Sequence, residues 1–190
     1  MSNATSPGPR QRLLDTAAGL FYRHGINVVG VDLISKEAGV SKRTLYQNFG
    51  SKDRLVADSL AATGGSVIEA YIPAGDESAT PRELILAVFE GLGSWSASDG
   101  FRGCPFVNTA TELTDPDHPA RQVAREFKLR LRDYFARQAE RGGASDPQQL
   151  ADQLIVVFDG ATVQAVMGTA ATPGAGYAVA QALLEAHSVH

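Results

Sequence analysis

Five polar side chains between Ser41 and Asn48 have the chemistry needed to read the edges of DNA bases. Their spacing puts them on the outer face of a short helix, with Leu45 and Phe49 on the inner face. Arginine and lysine donate hydrogen bonds to guanine, asparagine and glutamine pair with adenine, and threonine contacts the thymine methyl group. The five residues are Lys42, Arg43, Thr44, Gln47 and Asn48. The pattern predicts a helix that enters the major groove.

The residues before this helix predict the turn that would position it. Ile34 and Ala38 lie on the inner face of a preceding short helix, and Gly39 suits the backbone of a tight turn. Ser41 is a favourable N-cap for the second helix. Val31 to Asn48 is therefore predicted to form a helix-turn-helix whose DNA-reading segment begins at Ser41.

Two further side chains favour contact with the DNA backbone. Tyr46 and Lys52 can donate to phosphate oxygens, and Lys52 lies near a helix start at Ser51, where backbone amides also attract an anion. Backbone contacts would fix the register of the helix on DNA without selecting its sequence.

The distribution of charge supports a nucleic-acid partner for one part of the chain. The net charge is −4, yet residues 1–60 carry eight basic and five acidic side chains, which leaves nine basic and sixteen acidic ones in the remainder. Positive potential is needed only where a protein faces phosphates. We therefore expect a basic head attached to an acidic body.

The motif also resembles a known family. GVSKRTLYQNFGSKDRL, preceded by an Ile34-bearing helix and by a first helix ending in FYRHG, is similar to the N-terminal domain of TetR-family repressors over about Leu13 to Leu60. The resemblance implies that Ser41 to Phe49 is the recognition helix and that Tyr46 and Lys52 contact the DNA backbone.

Two positions depart from the family pattern. Gly30 stands where the family usually has a serine or threonine that caps the preceding helix, and Ser35 stands where alanine is usual. Neither change removes the turn. At Gly30, however, the resemblance implies a weaker cap and the loss of a phosphate contact.

The rest of the chain predicts an all-α body. Apolar residues recur at helical spacing in successive segments, and no stretch shows the sustained alternation of a strand. We expect a flexible arm over residues 1–9, a helix-turn-helix domain over 10–55 with three helices, and a helical ligand-binding and dimerisation domain over 56–190.

Family resemblance implies that this body encloses a pocket for a small-molecule inducer. The stretch FRGCPFVNTATEL resembles a segment that helps to line the pocket in a subset of these regulators. Aromatic and nearby polar residues are candidates for a mostly apolar pocket, although each could equally be plain core. The candidates are Trp95, Phe101, Cys104, Phe106, Asn108, Phe127, Tyr134 and Phe158. They favour an apolar or aromatic ligand.

Cys104 is the only cysteine and has three possible roles. It can be a small buried hydrophobic residue, a wall of the pocket, or a redox-reactive thiol whose pKa is lowered by Arg102 and a nearby helix start. With no second cysteine in the chain, a redox role would require an adduct or an intersubunit bond.

Small and apolar residues near the end of the chain favour a homodimer. Close packing of the last two helices would suit a two-fold interface, with an intramolecular core as the alternative. The candidate residues are Leu154, Val157, Gly160, Ala161, Ala165, Gly168 and Leu183. A dimer predicts a palindromic operator.

Other functional classes find little support. The histidines are scattered, and we recognise no spacing typical of a metal site, a catalytic triad or a phosphate-binding loop, so we expect no enzyme activity, metal or cofactor. No apolar run has the roughly 20 residues that span a bilayer, which favours a cytoplasmic protein. A helical enzyme for a small apolar substrate and a non-specific DNA-binding protein remain the alternatives to a repressor.

Overall fold

The computed structural model describes residues 7–71, 79–169 and 174–190, and the side chains of all of these except 65–71. Within these ranges the chain forms nine α-helices and no β-strand. In chain order they are α1 (Pro9–His24), α2 (Val31–Glu37), α3 (Lys42–Phe49), α4 (Lys52–Tyr71), α5 (Pro81–Ser96), α6 (Pro105–Glu112), α7 (Pro119–Arg141), α8 (Pro147–Met167) and α9 (Ala175–Ala186). The predicted all-α fold is confirmed.

Proline marks the start of five helices, α1, α5, α6, α7 and α8. At the first helical position its missing N–H costs no intrahelical hydrogen bond. The strongest start is that of α5, where Thr80 and Glu83 form a reciprocal capping box. The sequence favours Asp117 as the cap of α7, but His118 takes this role and its Nδ1 accepts from Ala120 N at 3.1 Å.

Two hydrophobic cores are joined by α7. One core contains the buried faces of α1 to α3, the first half of α4, and α6. The other contains α5, α8 and α9. Phe127 belongs to the first core and Phe135 to the second, so the 23-residue α7 runs through both. At the junction the rings of Phe106 and Phe127 stack with their centroids 3.6 Å apart.

Some predicted boundaries fall inside helices or outside the described residues. The boundary between residues 55 and 56 lies within α4, whose Leu55 and Val56 are both buried in the first core. Of the predicted arm, residues 1–6 lie outside the described part of the chain, and Pro9 already begins α1.

One described helix, α8, is long and apolar enough to cross a membrane by length and composition alone. Its apolar window has a mean hydropathy of 1.3, and core helices of soluble proteins pass the same test. The sequence predicts a helix here but does not indicate a membrane span, because the apolar residues are interrupted by Gln153, Asp159 and Gln164 and form no continuous run.

Candidate nucleic-acid interface

The turn between α2 and α3 is built from local hydrogen bonds and one left-handed residue. Gly39 has φ +63°, a conformation that side-chain-bearing residues rarely adopt. After it, Val40 N donates to Ser35 O at 3.0 Å, and Ser41 Oγ accepts from Thr44 N at 3.1 Å. Four residues thus connect α2 to α3, and α3 starts with a capped N-terminus.

Helix α3 has one buried and one exposed face. Leu45 is fully buried and Phe49 nearly so, and burial of such side chains contributes about 1.5–3 kcal/mol each. The opposite face exposes polar side chains, with Thr44 half-buried at its edge. The exposed residues are Lys42, Arg43, Tyr46, Gln47 and Asn48. The structure therefore brings the sequence-predicted residues of α3 onto one surface, anchored by two apolar residues.

Some of these side chains already have intramolecular partners. Asn48 Nδ2 donates to Thr44 O at 2.7 Å, which folds the amide back along its own helix. Lys42 forms an exposed ion pair with Asp32 of α2, a residue whose sequence context indicated only a solvated position. Direct base contacts by Asn48 and Lys42 would require these bonds to be exchanged for bonds to DNA.

The Lys52 side chain is bonded to the backbone between α1 and α2, whereas the sequence predicted only a phosphate contact for it. Its Nζ donates to Ile26 O at 2.6 Å and lies 6.0 Å from the centroid of the Phe21 ring. An ammonium group has three donors, so this bond leaves others to meet an anion. Ser51 caps α4 by accepting from Arg54 N at 3.0 Å.

Two arginines that the sequence analysis passed over also shape this surface. Arg10 lies over the Phe49 ring at 5.2 Å and bonds Asp58 at 3.0 Å. Arg12 Nε donates to Ala38 O at 3.1 Å and so ties the start of α1 to the end of α2. All three contacts join residues 26 or more positions apart, and a local sequence pattern carries no signal for them.

Gly30 is the N-cap of α2 and has no side chain to cap it. Its backbone is extended, with φ −89° and ψ 159°, and no heavy atom lies within 4 Å of where a Cβ would be. Any L-residue fits there. The departure from the family pattern is therefore not imposed by backbone geometry or by crowding.

Comparison with known families extends the N-terminal resemblance to the whole chain. Residues 13–58 match the model of bacterial regulatory proteins of the tetR family. Residues 81–178, more than half of the chain, match the model of the tetracyclin repressor-like C-terminal domain. The chain belongs to the TetR family. It is a transcriptional regulator with a DNA-binding helix-turn-helix, and TetR-family regulators bind DNA and small molecules and form dimers.

Individual relatives agree with this assignment. A putative TetR-type regulator from Streptomyces avermitilis is 44% identical, and the match covers 97% of this chain and all of that one with a TM-score of 0.91. A TetR-family regulator from Streptomyces coelicolor is 28% identical over 95% of this chain and 96% of its own, with a TM-score of 0.87. An uncharacterized HTH-type regulator of Bacillus subtilis is 26% identical over 86% and 88% of the two chains.

The candidate pocket residues are distributed over several parts of the TetR-type body. Phe106 and Phe127 stack in the first core, whereas Tyr134 and Phe158 are buried in the second. Trp95 packs edge-on against Phe101 near the end of α5, with centroids 4.7 Å apart. In the described part of the chain, these aromatic side chains therefore do not surround one common site.

Three candidate pocket residues border open space: Phe106 lines a cleft between α6, α7 and α8, and Cys104 and Asn108 border smaller cavities. Cys104 is buried, and a cavity of about 100 Å³ lies between it, Asn108 and residues of α8 such as Thr162. Asn108 also lines a cavity of about 70 Å³ between α1, α4 and α6. Cys104 is buried and lies on a cavity wall. The structure is therefore compatible with two of its three proposed roles, a small buried hydrophobic residue and a wall of the pocket.

The candidate dimer residues differ in exposure. Leu154 is fully buried inside the chain's own core, so at this position the structure shows the intramolecular alternative. Val157, Ala161, Ala165 and Leu183 are half-buried, whereas Gly160 and Gly168 are exposed.

Four large apolar side chains of α8 are exposed. Three of them lie on one face beside that predicted set, and the fourth, Val166, is 52% exposed and lies on another face. Val156 is 71% exposed, Val163 46% and Met167 65%. Together with Gly160 they recur at intervals of three or four residues and form one stripe, which we call the α8 stripe. Helical spacing counted from Val156 would have identified it. The sequence prediction instead selected small residues such as Ala161 and Ala165, which lie on the adjacent face of the helix.

Proposed function

We propose that this regulator is a homodimeric repressor that binds a palindromic operator and leaves it when a small apolar or aromatic ligand enters the body. The observation that carries the DNA-reading role is the exposed polar face of α3 above buried Leu45 and Phe49. In this proposal residues 10–55 read DNA, and residues 56–190 bind ligand and dimerise.

Each polar residue of α3 has a separate task in the proposed complex. Arg43 and Gln47 are exposed side chains suited to base edges, with Lys42, Thr44 and Asn48 beside them. Tyr46 and Lys52 hold the phosphate backbone, and Ser41 caps the helix that carries them all.

The α8 stripe supports the dimer. Val156, Val163 and Met167 would leave a contiguous apolar surface in water, and such surfaces mark protein interfaces. Pairing of α8 and α9 with their two-fold copies would cover it and bring in the neighbouring Val157 and Ala161. The same burial explains the apolar composition of α8 in a cytoplasmic protein.

Two clefts support binding of a small molecule. One of about 660 Å³ lies between α6, α7 and α8, and one of about 520 Å³ lies between α5, α8 and α9. Both volumes are within the range of small-molecule sites. The second cleft is bordered mostly by apolar residues, Phe89 and Tyr177 among them, which suits an apolar or aromatic ligand. The first has charged residues such as Arg125 and Lys128 beside Phe106. We propose that the ligand shifts α4 and so changes the separation of the two recognition helices.

Selection of bound sites from a random DNA pool, with the full-length protein, tests the proposal. We expect a palindromic consensus whose half-sites are about one DNA turn, or a small multiple, apart. Affinity for that operator and for a scrambled duplex is then measured at matched salt, because salt alone changes non-specific binding strongly. Equal affinities would indicate a non-specific DNA-binding protein. Failure to bind either duplex would contradict both DNA-binding functions and favour the alternative of a helical enzyme.

A further inference from the structure

Helix α6 is bonded to the DNA-reading head at its C-terminal end through Glu112. The carboxylate accepts from Ile26 N at 2.9 Å through one oxygen and from Asn27 N at 2.7 Å through the other. Asn27 Nδ2 in turn donates to Glu112 O at 3.2 Å. Three hydrogen bonds therefore join the end of α6 to the turn between α1 and α2, across 85 positions of sequence.

The start of α6 is bonded to the head as well. Tyr22 of α1 donates from its hydroxyl to Gly103 O at 3.0 Å and accepts from Arg102 N at 2.8 Å. Burial raises the pKa of Tyr22, so the hydroxyl keeps its proton as a donor at neutral pH. Both ends of the eight-residue α6 are thus bonded to α1 or to the turn that follows it.

The two amide bonds use both oxygens of the Glu112 side chain. Ile26 and Asn27 lie after α1 and before α2, so their backbone amides need acceptors from outside a helix, and a carboxylate offers one oxygen to each. Such charge-assisted bonds are stronger than neutral ones. Gly25 permits the approach, because it has φ +91° and a Cβ there would lie 3.1 Å from Glu112 Oε1.

Apolar packing between α6 and the head leaves a gap. A cavity of about 70 Å³ lies between α1, α4 and α6, with Ala18, Val56 and Pro105 among its walls. On the body side α6 is secured firmly, since Arg121 of α7 donates to Ala110 O at 2.6 Å and to Leu113 O at 2.5 Å. The polar bonds at the two ends of α6 are therefore well placed to transmit the position of α7 to the head.

We propose that Glu112 is a positioning residue that holds the head at a fixed angle to the body through α6, by a route separate from α4. The inference rests on the proposed function, in which a dimer places two heads on two half-sites. With the Glu112 bonds intact, each head is fixed at two places, α4 and α6. Without them, α4, the Tyr22 bonds and the apolar contacts of the first core limit its movement.

The inference is tested on the full-length protein with the selected operator and with versions carrying one or two extra base pairs between the half-sites. One base pair moves a half-site by about 3.4 Å and turns it by about 35°, so we expect each insertion to weaken wild-type binding by about tenfold or more. In Glu112→Ala the loss per insertion should fall below about threefold, because the heads can follow the displaced half-sites. Glu112→Gln, which keeps one acceptor, should lie between them.

A second readout monitors the bonds themselves. Hydrogen exchange at the Ile26 and Asn27 amides should become faster in Glu112→Ala, by about tenfold or more. Glu126→Gln is the matched control, because Glu126 is exposed on α7 and bonds only its neighbour Gln122. It should keep both the wild-type exchange and the wild-type spacing dependence.

The outcomes separate this inference from the proposed function. Faster amide exchange in Glu112→Ala with an unchanged spacing dependence would overturn the positioning role alone. Wild-type protein that tolerates every spacing would overturn the palindromic dimer and the positioning role together. Should Glu112→Ala fail to fold, Glu112→Gln decides the question by the same two measurements.

Discussion

Helices α3 and α8 both bury one face and expose the other, yet the exposed faces differ in chemistry. On α3 the exposed residues are charged or amide-bearing, as with Arg43 and Gln47, apart from the phenol of Tyr46. On α8 the exposed residues include Val156, Val163 and Met167. The inner faces are alike, with Leu45 as fully buried as Leu154. The two helices therefore differ in their exposed faces and not in their buried ones. The chemistry of the exposed face is what indicates the kind of partner each helix would bind.

The two outer faces should respond to substitution in different ways. A polar surface that reads DNA loses specificity when a donor is removed, because one set of hydrogen bonds disappears while the fold persists. An apolar surface that meets a second copy loses association when a charge is added, because the charge would be buried without a partner. The substitutions below test this difference, from the largest expected effect to the smallest.

Val156→Glu should separate the proposed dimer. The carboxylate would lie at the first position of the α8 stripe, where the proposed partner helix would bury it without a counter-charge. Sedimentation should show a monomer, and operator affinity should fall by about a hundredfold or more as two-site binding is lost. The matched control is Leu129→Glu on α7, since Leu129 is exposed as well but lies outside the stripe. If both variants remain dimeric, the stripe is not the interface.

Arg43→Ala should relax base preference. Arg43 is exposed on α3, and loss of a bidentate contact to guanine costs about 1–3 kcal/mol of discrimination. Binding competition between the selected operator and single-base variants measures this at each position. The preference should weaken at one position of each half-site and persist elsewhere. A uniform loss across all sequences would assign Arg43 to the phosphate backbone instead.

The DNA-reading face could be predicted because its determinants are local. Ser41, Gly39 and the spacing of Leu45 and Phe49 are read within a dozen residues, and the structure has the cap, the turn and the buried face as predicted.

The body could not be resolved in the same way, because helical spacing identifies an inner face but not the neighbour it meets. Phe127 and Phe158 read alike in sequence and belong to different cores. Leu154 and Val156 are two positions apart, and one is buried while the other is 71% exposed. Nor does any local pattern link Glu112 to Ile26. Contacts of this range depend on how the helices pack together.

Lys52→Ala should weaken binding to all sequences and flatten the salt dependence. The Lys52 ammonium is positioned by Ile26 O, and its remaining donors are proposed to meet one phosphate. Loss of one such contact reduces the slope of log affinity against log salt by about one. Affinity for operator and scrambled duplex is measured over a range of salt. An unchanged slope with reduced thermal stability would leave Lys52 with only the structural bond to Ile26 O.

Gly30→Ser should have the smallest effect and, unlike the others, a favourable one. The backbone at Gly30 is already extended and the space for a side chain is open, so a serine can cap α2 without strain. Replacing glycine with a good N-cap is worth only a few tenths of a kcal/mol in stability.

Operator affinity measures the second part of this prediction. The hydroxyl at position 30 should add one phosphate contact and raise the affinity by about twofold to tenfold at low salt. Gly30→Ala is the control, because it removes the same backbone freedom without adding a hydroxyl. Equal affinities of the serine and alanine variants would show that position 30 does not reach the DNA backbone, and that the polar face of α3 acts without support from the start of α2.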